Sequence, residues 1–165
     1  MDFYLLDTNI FSNLYNLRRD KYSDVCSAIG ALDPDAPQYL SVVVLGELLF
    51  GLRMVEGAGQ DLNHIRTTIK RAEERPLAEI GLHTAEAYGE VRYLLARHWT
   101  DTQRKLPRWV EDWKDKVTGK SLQIDENDLW LVAQAIERNY VFLTTDKKLA
   151  ARFRPAVPDL RLNLI

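Results

Sequence analysis

Little in this chain of 165 residues could staple it or clasp a soft metal: it has one cysteine, Cys26, and three scattered histidines, His64, His83 and His98. A lone thiol closes no intramolecular disulfide, which excludes a stapled secreted scaffold and fits a reducing compartment, the cytoplasm. No Cys or His pair stands at zinc spacing. Long apolar runs are missing too. The first is only Phe3 to Leu6, directly after Met1-Asp2, so neither a secretory signal nor a span of about 18 apolar residues is expected, and no membrane partner. Nor is there an excess of one charge: 22 Lys and Arg stand against 24 Asp and Glu, a net charge of -2. Any polyanion must therefore be met by a local basic surface. With 8 Gly, 6 Pro and no internal repeat, collagenous, low-complexity and solenoid classes drop out. What remains, 46% hydrophobic and 28% charged, is the composition of one globular domain over residues 1–165.

Short apolar runs alternate with helical periodicities along that domain. Strands are expected at Phe3–Leu6, Tyr39–Val44, Leu77–Ile80, Tyr140–Thr144 and Leu160–Ile165. Helices are expected from Ile10 to Leu17, Ser23 to Leu32, Gln60 to Arg75, His83 to His98, Asp125 to Arg138 and Asp146 to Phe153, and Leu45 to Val55 is mostly apolar. Such alternation implies an α/β fold with a mostly parallel central sheet of four or five strands, covered on both faces. Residues 99–120 differ in texture, being rich in Trp, Lys and Arg, and read as a helical excursion from the domain.

In such sheets the functional crevice lies beyond the carboxyl ends of the strands. Asp7 follows the first strand directly, and Asp146 follows the fourth. Each could also be an ordinary helix N-cap. Glu47 lies in Val42-Val43-Val44-Leu45-Gly46-Glu47-Leu48-Leu49-Phe50, apolar on nearly every side, where an unpaired carboxylate is costly. It needs a cation or a basic partner such as Arg53 or Arg75. Asp128 shares a helical face with Leu131, Val132 and Ala135 and so leans inward, although Asp125 and Asp128 also form a capping-box pattern. Carboxylates that converge repel one another, and the usual remedy is a hard divalent cation held by oxygen ligands.

Leu5-Leu6-Asp7-Thr8-Asn9, Gly46-Glu47-Leu48, Asn127-Asp128-Leu129-Trp130-Leu131-Val132-Ala133 and Leu143-Thr144-Thr145-Asp146 resemble, in order, the four acidic motifs of PIN-domain ribonucleases, and among them the VapC toxins of bacterial and archaeal toxin-antitoxin systems. The similarity spans nearly the whole chain, residues 99–120 being longer than the matching connection in a compact member. The resemblance implies a three-layer α/β/α domain in which Asp7, Glu47, Asp128 and Asp146 form a metal-binding catalytic quartet, with Asp7 and Asp128 the principal ligands. It implies that Thr8, Asn9 and Thr145 support those acids. The implied activity is Mg²⁺- or Mn²⁺-dependent endoribonucleolytic cleavage by water attack, leaving 5′-phosphate and 3′-hydroxyl ends. The implied partners are an RNA substrate, a cognate antitoxin protein and a second copy in a homodimer.

For the RNA itself, residues 97–120 hold seven basic against four acidic side chains, with Trp99, Trp109 and Trp113 interleaved as stacking surfaces. Arg104, Lys105 and Arg108 are candidate contacts there, and Lys147 and Lys148 beside Asp146. Trp109 and Trp113, four apart, equally suit a short amphipathic helix docked on its own domain or on a second subunit. Two other readings compete. A haloacid-dehalogenase-type phosphoryl transferase needs a second Asp two positions after the first, where this chain has Asn9. A catalytically weak module that binds RNA or protein without cutting would not need all four acids.

Overall fold

The computed structural model describes all residues 1–165. Five parallel strands form the centre: β1 (Tyr4–Leu6), β2 (Gln38–Ser41), β3 (Leu77–Ala78), β4 (Val141–Thr144) and β5 (Leu162–Leu164), in the spatial order β3-β2-β1-β4-β5. Seven helices cover them: α1 (Thr8–Leu14), α2 (Tyr22–Gly30), α3 (Val42–Gly57), α4 (Asn63–Glu73), α5 (Leu82–Trp99), α6 (Glu126–Glu137) and α7 (Lys147–Ala156). Strand succession runs outward from β1 through β2 to β3, then reverses to β4 and β5. Right-handed crossovers therefore place α1 to α4 on one face and α5 to α7 on the other. The packing agrees: α1 lies against α2 and α3 against α4, while α5 runs along α6 and α7. The result is a three-layer α/β/α fold.

The layers meet over a single core. Leu5, Leu6, Leu40, Phe142 and Leu143 supply it from the strands, and Ile10, Phe11, Leu95, Leu129, Leu131 and Phe153 from the helices, all buried. Strands buried on both faces read as unbroken apolar runs, which is why β1 and β4 show no polar alternation. No helix is long and apolar enough to cross a membrane.

Two expectations change. The strand expected over Tyr39–Val44 stops at Ser41, because Ser41 Oγ accepts the Val43 amide at 3.0 Å and starts α3 at Val42. The cap outweighs the β preference of three successive valines. Helix α3 ends where Gly59 takes φ +65, a conformation costly for a residue with a Cβ.

The helical excursion expected at residues 99–120 is not formed by the residues between α5 and α6. They hold one 3₁₀ turn, Val110–Asp112, and an antiparallel bridge between Lys114 and Ser121. The four-residue spacing of Trp109 and Trp113 is not that of a helix, since Trp113 is itself in extended backbone (φ -72, ψ 143). Its ring is buried with Val110, Leu122 and Ile124 in the main core. Trp109 stays 52% exposed. The segment is laced to the domain by Trp99 Nε1 donating to the Arg152 carbonyl at 2.9 Å and by the Lys116 amide donating to the Trp99 carbonyl at 2.7 Å.

Candidate active site

The sheet reverses between β1 and β4, and both strands end in acids that border one cavity. Asp7, Glu47, Asp125, Asp128 and Asp146 line it, together with Thr8, Asn9, Ser12, Asn127 and Arg19, enclosing about 400 Å³. This is the topological switch point, where diverging crossovers leave a crevice. The structure thus brings all four acids expected from sequence to one place, from four elements far apart in the chain.

Asp7 occupies the N-cap position of α1 yet makes no side-chain capping bond. Its Oδ2 instead accepts the Thr144 hydroxyl at 2.6 Å and Asn9 Nδ2 at 2.7 Å. These neutral donors do not offset its surroundings. Burial pushes the carboxyl up to about 6, with Asp146 and Glu47 adding repulsion against the help of Thr144 and the Thr8 amide.

Asp128 is pushed higher, to about 8, first by burial and then by Asp125, with Asp7 and Asp146 contributing. It forms a reciprocal capping box with Asp125: each backbone amide donates to the other's carboxylate at 2.9 Å. Asp128 is therefore a capping residue as its spacing allows, but the cap consumes only its Oδ2. Asp146 behaves likewise. Its Oδ1 accepts the Lys148 and Leu149 amides at 2.7 and 3.0 Å and caps α7, leaving its second oxygen free of protein donors. One residue serves as a cap and as part of the cavity wall.

Glu47 has no basic partner. Arg53 pairs with Glu56 at 2.7 Å, and Arg75 bonds Gln38 Oε1 and the Tyr15 hydroxyl, each at 2.9 Å. The carboxylate is held instead by the Thr8 hydroxyl and by Asn127 Nδ2 at 2.7 Å. Neutral donors fix its direction without neutralising it.

Among the supporting residues, Thr8 and Asn9 stand where expected, and Thr145 does not. It is Thr144, the last residue of β4, whose hydroxyl reaches Asp7 and accepts the Asp146 amide at 2.9 Å. Thr145 makes no side-chain bond to the acids; its backbone amide donates to Asn9 Oδ1 at 3.0 Å. A threonine ending a strand buried on both faces must spend its hydroxyl on a partner, and that constraint is the signal for Thr144 in the sequence. Asn127, Ser12 and Arg19 join the site without being singled out by sequence. Arg19 is the one cation in the cavity wall, and it lies in a polar stretch with no periodicity to point it anywhere.

The basic candidates separate. Lys147 and Lys148 flank the cavity at the start of α7, in an adjoining hollow. Arg104 and Lys105 line a different depression with Trp113 and Lys114. The Arg108 guanidinium lies 4.8 Å over the Trp109 ring, and Arg108 is absent from the acidic wall.

No three of the acids are gathered into a finished metal cage. The donor set nonetheless fits a hard divalent cation. It offers carboxylate oxygens, no sulfur or imidazole, an uncompensated excess of negative charge, and two carboxyls that burial and mutual repulsion drive toward protonation.

A parallel five-stranded α/β sandwich with an acidic crevice at its switch point defines the class. Within it, the chain belongs to the PIN-domain family, whose model matches residues 4–153. By sequence alone no curated protein matches it. Solved structures of similar fold include VapBC-1 from nontypeable Haemophilus influenzae, with TM-score 0.62 and 21% identity over 98% of this chain and 97% of that one. DNA-bound VapBC from Salmonella typhimurium gives 0.63 and 16% over 99% and 98%. The sarcin-ricin-loop-cleaving toxin VapC20 of Mycobacterium tuberculosis gives 0.53 and 13% over 90% and 93%.

Proposed function

We propose that this protein is a divalent-metal-dependent endoribonuclease, the toxin of a toxin-antitoxin pair. The observation that carries the reading is the cavity itself: five acids at the switch point, with Glu47 and Asp7 held only by neutral donors. A purely structural cluster would be expected to bring basic partners or be replaced by apolar packing. Family membership and the fold shared with VapBC assemblies support the toxin part.

Asp7, Glu47, Asp128 and Asp146 would hold Mg²⁺ or Mn²⁺, which when bound lowers the pKa of a coordinated water and offsets phosphate charge. The protein's own share is orientation. Thr144 and Asn9 aim Asp7, Thr8 and Asn127 aim Glu47, and their helix-capping bonds fix Asp128 and Asp146 at the starts of α6 and α7. Lys147 and Lys148 meet the RNA backbone beside the acids. The antitoxin covers the cavity mouth by docking on α3, where Leu49 and Phe50 are 43% and 67% exposed next to Glu47, and free chains pair as a homodimer. The site of action is the cytoplasm.

The test is cleavage of RNA by the purified chain, scored against the Asp7→Asn variant. Cleavage should vanish in EDTA and return with Mg²⁺ or Mn²⁺. Activity undiminished in chelator, and equal in the variant, would remove the assignment and leave a non-cutting binding module. Co-expression with a cognate antitoxin should yield a stable, inactive complex.

A further inference from the structure

We propose that the hollow bounded by Lys21, Lys147 and Lys148 is a subsite for the backbone phosphate of a single-stranded RNA that neighbours the phosphate at the acid cavity. The inference rests on the ribonuclease reading and adds to it a place for the neighbouring phosphate of the strand.

The hollow encloses about 400 Å³ and is lined by those lysines with Asn9, Thr145 and Asp146, and by no apolar side chain. It shares Asn9 and Asp146 with the acid cavity, so the two are contiguous across a single residue pair. Their charges are opposite. One holds five acids and one arginine, the other three lysines and one acid whose Oδ1 is already taken by the Lys148 and Leu149 amides.

Lys147 and Lys148 form no ion pair within the chain, although acids lie next door. Lys147 and Lys148 are exposed and leave the first turn of α7, whose amide ends add positive potential. Lys21 is different. It is half-buried, and its Nζ is tethered by the backbone oxygen of the last residue, Ile165, at 3.0 Å and by the Thr145 carbonyl at 3.4 Å, so its charge is pinned at the floor. An ammonium has three protons and no acceptor capacity, and the pair of backbone oxygens leaves one for a ligand. A positioned cation with two mobile ones, open to solvent and free of apolar surface, suits a phosphodiester oxygen better than a base or a peptide side chain. Two uncompensated lysines with a third at their floor, beside an acid cluster, also meet a physical need, since a polyanion approaching the acids alone would be repelled.

The measurement is binding of a labelled single-stranded oligoribonucleotide by fluorescence anisotropy across a salt series, in an Asp128→Asn background that prevents turnover. Lys147→Gln/Lys148→Gln should flatten the plot of log affinity against log salt by about 0.7 for each phosphate no longer neutralised. Both side chains are exposed, so an unchanged thermal melt is expected beside the altered slope. Lys21→Arg, which keeps the charge, should keep the parent slope. Retained RNA binding with an unchanged slope in the double variant overturns the subsite while leaving the ribonuclease reading standing. A slope that falls instead in Lys105→Gln/Lys114→Gln moves the phosphate track to the 100–125 segment and overturns it equally. A parent that binds no RNA at any salt overturns both.

Discussion

Two partly buried carboxylates at the N-terminal end of α6, separated by one residue, are treated by the chain in opposite ways. Glu126 is surrounded by donors. It accepts from the Tyr88 hydroxyl, from Arg92 Nη1 at 3.0 Å and from the Val110 amide at 3.4 Å, while its own amide donates to Glu111 at 3.2 Å. Arg92 in turn binds the Arg108 carbonyl and lies 5.4 Å over the Trp113 ring. This is a latch that fastens the 100–125 segment to the domain. Asp128, two positions on, faces Asp7 and Asp146, forms no ion pair and rises to about 8. The difference teaches how to tell an acid that holds a structure from one kept for a ligand. The first is charge-paired, and the second is aimed but left unneutralised.

Swapping the acids for amides should break the contrast most sharply. Asp7→Asn and Asp128→Asn should each keep the fold and lower RNA cleavage by at least the roughly 10–100-fold that the loss of an outer partner costs a metal site. Initial rates in Mg²⁺, with circular dichroism as the control, decide it. Equal turnover would put Asp128 in the same class as Glu126.

Stability in the absence of metal should move the other way. Asp7 titrates near 6 when folded against an ordinary value of 3.8, so the folded state holds the extra proton between those values. The penalty is absent below about pH 4, grows as pH rises toward 6, and levels off above it at no more than about 3 kcal/mol. Asp128 extends the same loss toward pH 8. Thermal melts in EDTA should therefore show wild type weakening from about pH 4 to about pH 8, and Asp7→Asn gaining on it between about pH 4 and about pH 6 and keeping that lead above. Added Mg²⁺ should reverse the ranking at the alkaline end, because the bound ion stabilises only the intact acids.

Arg92→Leu tests the latch. With its side chain 29% and that of Glu126 19% exposed, removing the cation should cost about 2 kcal/mol through the stranded carboxylate. The loss should appear in metal-free melts. A loss confined to catalysis, with stability intact, would place Glu126 among the acids kept for a ligand. Trp109→Ala, at an exposed ring outside both clusters, should change stability by no more than about 0.5 kcal/mol.

Paired and unpaired acids are unequally visible in the sequence. Asp7 and Asp146 are legible because they follow short apolar runs, and Glu47 because its neighbours leave it no polar face. Thr144 and Thr145 are harder to separate, since strand ends are uncertain by a residue or two and one residue decides which hydroxyl faces Asp7. The latch is invisible. Arg92, Val110 and Glu126 are joined by tertiary packing, and the aromatic spacing around them mimics a helix that the extended backbone at Trp113 does not form. Arg19 and Lys21 are equally hidden, in a polar stretch that folds back only once α1 and α2 are in place.

The pairing of β1 with β4, Tyr4 against Val141 through Leu6 against Leu143, also sets a schedule. The central strand of the sheet is the first to be made, and it must wait for nearly the whole chain before its second neighbour exists. Contacts of such separation form late and slowly. A chain still growing on the ribosome can pair β1 with β2 and pack α1 to α4 beside them, yet it lacks Asp128, Asp146 and the strand that brings Asp146 next to Asp7. The complete acid cavity is thereby withheld during synthesis by topology alone, until β4 is made and pairs with β1.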